Sequence, residues 1–201
     1  MAPGDFQSQG RFMPAHRDTF QQVVRTFELQ TRLGREPDHA LEEGTLSGLS
    51  RILASSPRQI LQALARAAFE LCDAGSAGVS TLDSETGGDP SLFRWRALAG
   101  AWAARYPGTT VPRDFCPCGM VLSTKSMQLM VDPARHYACL APIEPPCREV
   151  LSVPFGLADA PIGTIWVVQH QPECHFDLED ARRLNSLARF ASSAYEALKA
   201  I

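Results

Sequence analysis

The chain has no excess of positive charge. Its 19 Lys and Arg against 22 Asp and Glu leave a net charge of −3, so no basic footprint exists for nucleic acid or an anionic membrane. No run approaches the roughly 18 apolar residues of a membrane span, and the N-terminus, MAPGDFQSQGRF, has no apolar signal core. The expected location is the cytoplasm, where thiols stay reduced. Paired C-x-x-C motifs are missing, as are a phosphate-cradling glycine loop and a Ser/His/Asp set. Nucleotide hydrolysis and serine chemistry are therefore unsupported. There is no internal repeat and no low-complexity segment.

What remains is an ordinary globular composition, 45% apolar and 20% charged over 201 residues, enough for one well-packed domain plus an extension. The unusual stretch is PRDFCPCGMVLSTKSMQLMVDPARHYACLAPIEPPCREVLSVP, from Pro112 to Pro154. It holds Cys116, Cys118, Cys139 and Cys147, four of the six cysteines, with Cys174 one hairpin later. Its prolines make it mostly loop between short regular pieces, and reactive or ligating residues tend to sit on such loops. A chain of this size does not need disulfide staples, so free thiols, metal ligands or redox-active cysteines are the better readings.

Residues 1–17 are polar and aperiodic and are read as a mobile tail. Phe20, Val23, Val24, Phe27 and Leu29 recur at helical spacing and predict a helix from Asp18 to Leu33. Leu41 to Leu53 predicts a second, weaker helix, and Ser56-Pro57 starts a third that runs to about Cys72. Strands are expected at Val79–Leu82 and Leu92–Ala99, where Phe93, Trp95 and Ala97 alternate with Arg94, Arg96 and Leu98. Gly119–Thr124 reads as a helical turn, and Met127–Val131, Glu149–Phe155 and Gly163–Gln169 as strands. Asp177 caps a final helix to Lys199. Helix, hairpin, irregular middle, hairpin, helix describes an α+β domain, an antiparallel sheet with helices packed on it. The expected division is a tail and N-terminal helix over 1–40 and one domain over 41–201.

From about Leu41 onward, the pieces LCDAGSAGVSTLD, FRWRALAG, PRDFCPCG, DPARHY, REVLSVPF, GTIWVVQH and FDLEDARRLNSLARFAS resemble a GAF domain, the small-molecule sensory module. The chain is similar in particular to the bacterial group that often precedes histidine kinases and carries a Pro-Arg-Asp-Phe-x-Pro-Cys-Gly segment. The resemblance implies a central antiparallel sheet of about six strands, a ligand pocket roofed by the irregular middle, and terminal helices that dimerise. Read so, the chain is a stand-alone module ending at Ile201. Its signal leaves through its own helices or through a partner such as a histidine kinase.

The same resemblance brings Cys139, Cys147, Cys174 and His175 near the Cys116-Pro-Cys118 loop. Thiolates with an imidazole suit zinc, iron or an iron–sulfur cluster, so Cys116, Cys118, Cys139, Cys147, Cys174 and His175 form the candidate ligand set. Thiol redox chemistry and inert packing are the other readings of these cysteines, while Cys72 belongs to the core. Trp95, Arg113, Asp114, His136 and Trp166 are candidates for contact with a small molecule. Arg113–Asp114 is read as an ion pair fixing the loop, and the tryptophans as stacking platforms or core. A rival class is the free methionine-(R)-sulfoxide reductases, which are GAF enzymes. On that similarity Cys139 attacks the sulfoxide, Cys118 resolves it, and Glu149 lines the site. Their acidic residues for the amino acid's ammonium are missing, with Leu140 and the Trp166–Gln169 strand in the matching places. A bilin thioether at Cys139 and haem ligation by His136 or His170 find no supporting signature.

Overall fold

A computed structural model describes residues 15–199. Residues 1–14 of the expected tail lie outside them, and from Ala15 the chain is already helical. Helix α1 (Ala15–Val23) stops well short of Leu33, which corrects the first predicted helix. Val24 instead bridges to Met130, and the Arg25 N–H donates to the Leu129 carbonyl at 2.8 Å. The Thr26 hydroxyl donates to Gln128 Oε1 and accepts from the Leu129 N–H, each at 3.0 Å. This β-branched run finds better partners along a sheet edge than within a helix. A 3-10 turn over Thr26–Gln30 follows.

Helix α2 (His39–Ser55) starts where Asp38 Oδ1 accepts the Leu41 N–H at 3.0 Å. Pro57 opens a 3-10 turn, and α3 (Ile60–Leu71) lays Ile60, Leu64, Ala68 and Leu71 against the sheet. The strands are β1 (Ser76–Leu82), β2 (Leu92–Gly100), β3 (Thr110–Pro112), β4 (Gln128–Val131), β5 (Glu149–Gly156) and β6 (Pro161–Gln169). They form one antiparallel sheet in the order β3-β2-β1-β6-β5-β4. Helix α4 (Pro117–Thr124) lies in the irregular middle, and α5 (Leu178–Lys199) closes the domain. Ahead of α5, Asp177 Oδ1 accepts the Asp180 N–H and Asp180 Oδ2 the Asp177 N–H, a reciprocal cap. No described helix is long and apolar enough to cross a membrane.

The two-residue period of the strands divides the interior into two cores. On one face Ala77, Val79, Leu151, Val153, Ile165 and Val167 meet α2, α3 and α5. On the other, Phe93, Trp95, Met130, Val150, Trp166 and Val168 meet the segment between β2 and β5. Gly78 makes the second face possible, because a Cβ there would stand inside the Trp166 indole.

Candidate functional site

The segment 101–148 roofs the second face of the sheet, and a cavity of about 30 Å³ lies between them. Trp95, Val150, Ser152, Trp166 and Val168 rise from the floor; Trp102, Cys116, Cys118, Leu140 and Cys147 come down from the roof. Trp95 and Trp102 stack in parallel, centroids 5.5 Å apart, and Trp166 tilts against both at 5.3 and 5.8 Å. Trp102 Nε1 donates to the Pro145 carbonyl at 2.9 Å and Trp166 Nε1 to Ser80 Oγ at 2.7 Å. Such a volume holds roughly one or two small heavy atoms.

Cys116 is the extended N-cap of α4, and its sulfur accepts the Gly119 N–H at 3.3 Å. Pro117 fits the first helical position, where no donor is needed. Gly119 is required here, since a Cβ would overlap the Arg113 carbonyl. Cys118 thus stands in the first turn with its thiol in the cavity. Its pKa is lowered, chiefly by the neighbouring Cys116 thiol, against burial. Cys116 carries the opposite shift, because Cys118 holds its proton in place. The other thiols are suppressed by burial: Cys147 is pushed well up, and Cys139 up to about 11.

Among the described residues three buried hydroxyls have no hydrogen-bond partner: Ser152 Oγ at 1% exposure, Tyr137 Oη at 2% and Thr164 Oγ1. Ser152 lines the cavity from β5. Sequence reasoning passed over Ser80, Ser152 and Thr164 as ordinary strand residues. Their signal is a hydroxyl in an apolar strand on the same two-residue phase as the pocket tryptophans: Ser152 pairs across with Trp166, and Ser80 with Thr164.

The structure divides the remaining candidates. Cys116, Cys118 and Cys147 meet at the cavity, and Cys139 lies beside them with its sulfur 3.5 Å from the Phe115 carbonyl. Cys174 does not join them; it sits in the turn after β6 with its sulfur 3.8 Å from Gln171 Oε1. His175 is also elsewhere, its Nδ1 3.2 Å from Glu149 Oε2. Among the described residues no group of three His, Cys, Asp or Glu side chains could hold a metal ion, so the six-residue ligand set is not assembled. Trp95 and Trp166 line the cavity. Arg113 and Asp114 are exposed, and no ion pair joins them among the described residues. Neighbours in one helical turn point apart. His136 packs among Phe20, Phe115 and Tyr137 and does not line the cavity. Glu149 belongs to the opposite face from Val150 and Ser152, so it does not line the cavity either.

His170 ties the roof to the sheet. Its Nδ1 lies 2.9 Å from the Pro146 carbonyl and so carries the proton; its Nε2 then accepts from the Ser76 hydroxyl at 2.8 Å. Burial lowers its pKa. Its stabilising contribution is complete above the ordinary value of 6.5 and is lost as pH falls below that toward the lowered value. Asp180 acts oppositely: burial pushes its carboxyl up to about 6, so it costs stability as pH rises through that range. The difference between wild type and His170→Asn isolates the histidine. Denaturant titrations from pH 7.5 to 5 should show wild type losing ground to the variant, with a slope no steeper than about 1.4 kcal/mol per pH unit. A flat difference would contradict this.

The family model described as a GAF domain matches residues 54–196. No curated protein matches the sequence significantly. Among solved structures, the GAF domain of an Acinetobacter phosphoenolpyruvate-protein phosphotransferase is similar at TM-score 0.65 and 17% identity, covering 80% of this chain and 96% of that one. Free methionine-R-sulfoxide reductase from Neisseria meningitidis, in complex with its substrate, is similar at TM-score 0.61 and 17% identity, covering 85% and 98%. The GAF-B domain of DevS from Mycobacterium smegmatis is similar at 0.57 and 16%, covering 72% and 96%. At these identities the likenesses show the fold, while the family match spans well over half of the chain. The chain therefore belongs to the GAF domain family.

Proposed function

We propose that this protein is a sensory or regulatory GAF module that receives a small, uncharged molecule in the cavity between sheet and roof. The observation that carries the reading is Ser152, a buried hydroxyl without a partner in an otherwise apolar, three-tryptophan cavity. An unmet hydrogen bond there costs free energy that a ligand group can recover. Occupancy acts by favouring one position of the roof over another. The roof has an exit for such a signal. Segment 15–35 runs along β4 through Val24 and Arg25, meets His136 through Phe20, and reaches Glu149 through Arg32. Its PRDFCPCG segment fits the group found ahead of histidine kinases, so a kinase is the partner we assign.

The rival readings fit less well. A free amino acid would bring an ammonium group into a cavity with no carboxylate, and Glu149 faces away from it. Zinc, iron or a cluster would need a third donor beside a cysteine pair, and no such group is present among the described residues.

Methyl methanethiosulfonate, which adds a methylthio group to a thiol, serves as a minimal occupant. In a Cys139→Ser, Cys174→Ser background, modification of a cavity thiol should speed amide exchange across 113–148 and 15–35 by about tenfold. Helices α2 and α3 should stay unchanged. The transferred methylthio group matches the cavity in size, and an unaltered roof in the modified protein would overturn the reading.

A further inference from the structure

We propose that this cavity is a reversible trap for formaldehyde: one of the two free thiols of its lining, Cys118 and Cys147, adds to the carbonyl carbon, and Ser152 bonds the oxygen. The inference rests on the cavity being where a small molecule is received, and it names that molecule and the bond that holds it.

The size of the cavity sets the kind of bond. Its volume of about 30 Å³ admits a guest of roughly two heavy atoms. Even at the best efficiency found for very small ligands, such a guest held by contacts alone has a dissociation constant in the millimolar range. A tighter hold needs a covalent bond, and the lining supplies the nucleophiles. Three of its twelve residues are cysteines: Cys116, Cys118 and Cys147. Cys116 is already committed, since its sulfur accepts the Gly119 N–H at 3.3 Å and its proton faces the Arg113 carbonyl at 3.8 Å. Cys118, from the first turn of α4, and Cys147, from the end of the roof, are free thiols on the same space.

The lining also sets the chemistry of the guest. No charged side chain is among its residues, so the guest is neutral. Thiols are nucleophiles, so the guest carries an electrophilic centre. Ser152 Oγ is buried without a partner, so a guest with an oxygen to bond recovers free energy there. Formaldehyde meets all three conditions within the size limit. Its S-hydroxymethyl adduct is as large as a methylthio group and adds the hydroxyl that Ser152 can bond. Longer aldehydes carry the same carbonyl but exceed the space.

The chemistry balances. The thiol sulfur bonds the carbonyl carbon, the C=O π pair moves to the oxygen, and the thiol proton ends on that oxygen as a hydroxyl. Nothing is oxidised or reduced, and no co-reactant is needed. The reverse step returns thiol and formaldehyde when the concentration of formaldehyde falls, as a sensor requires. One adduct fills the cavity, so the second thiol stays unmodified.

The test titrates isotopically labelled formaldehyde into the reduced full chain carrying Cys139→Ser and Cys174→Ser, and reads the S-hydroxymethyl carbon by NMR. A single tight adduct per chain should form, with a dissociation constant about a hundredfold below that of N-acetylcysteine. Cys118→Ser with Cys147→Ser should abolish it, and Ser152→Ala, which leaves both thiols in place, should weaken it about tenfold. Propionaldehyde, scored against its own adduct with N-acetylcysteine, should show no such gain. Two tight adducts per chain, a tight adduct that survives the double variant, an equal gain for propionaldehyde, or no loss in Ser152→Ala would overturn the proposal. If methylthiolation moves the roof while formaldehyde binds no tighter than it does to N-acetylcysteine, this inference falls and the cavity reading stands.

Discussion

Replacing Glu149 with alanine should cost about 3 kcal/mol of stability and lower the melting temperature by roughly 10 °C. The carboxylate is 1% exposed and is the point where three segments meet. It accepts from Arg32 Nη1 at 2.8 Å and Nη2 at 3.0 Å, from the Phe176 N–H at 2.7 Å, and lies 3.2 Å from His175 Nδ1. Arg32 also donates to the Phe176 carbonyl at 2.7 Å and to Glu28 at 3.0 Å. Burial works against the guanidinium charge, and the hydrogen bonds and charge of Glu149 outweigh it. Removing the carboxylate leaves a half-buried cation without its main counter-ion and a buried backbone N–H without an acceptor. The loss should fall first on the N-terminal segment. Amides of residues 24–35 should exchange faster at mild denaturant while α3 and β6 stay protected. Glu149→Gln, which keeps an acceptor for Phe176, should cost about half as much. A loss under about 1 kcal/mol with residues 24–35 still protected would sink the idea that this carboxylate clamps the N-terminal segment to the sheet.

The fold was legible wherever a period ran long enough to name a face. Leu64, Ala68 and Leu71 on α3, the paired hairpins, and the Asp177 cap ahead of α5 are all local patterns, and the structure keeps them. Val23 to Leu29 misled because helical spacing competes with a β-branched stretch, and the winner is decided by β4, a hundred residues away. Strand β3 was missed because Thr110–Pro112 is too short to show any alternation. At the site, the tryptophans and the C-P-C loop stood out by composition. The ligand set failed at Cys174 and His175 because sequence nearness to β6 does not say which way the following turn goes. Glu149 could have been placed correctly: on a strand, the neighbour of Val150 points to the other face. The hydroxyls of Ser80, Ser152 and Thr164 were invisible for another reason. A lone serine in a strand acquires meaning only when the groups around it are known.

Trp102→Ala should lower stability by about 3–5 kcal/mol and at the same time create a binding site. The indole is 2% exposed and packs on Trp95, Trp166, Tyr106 and His170, so its removal takes away four ring contacts. It also frees the Pro145 carbonyl that accepts from Nε1. The backbone N–H still donates to Ser76 Oγ, which holds the local chain path and keeps the space from collapsing. The cavity of about 30 Å³ then grows by most of an indole, to a size that takes a ring compound. Free indole at a hundred times its dissociation constant should return about 2.7 kcal/mol to the variant and nothing to wild type. A loss under about 1 kcal/mol, with no rescue, would mean that the three tryptophans do not wall the cavity at all.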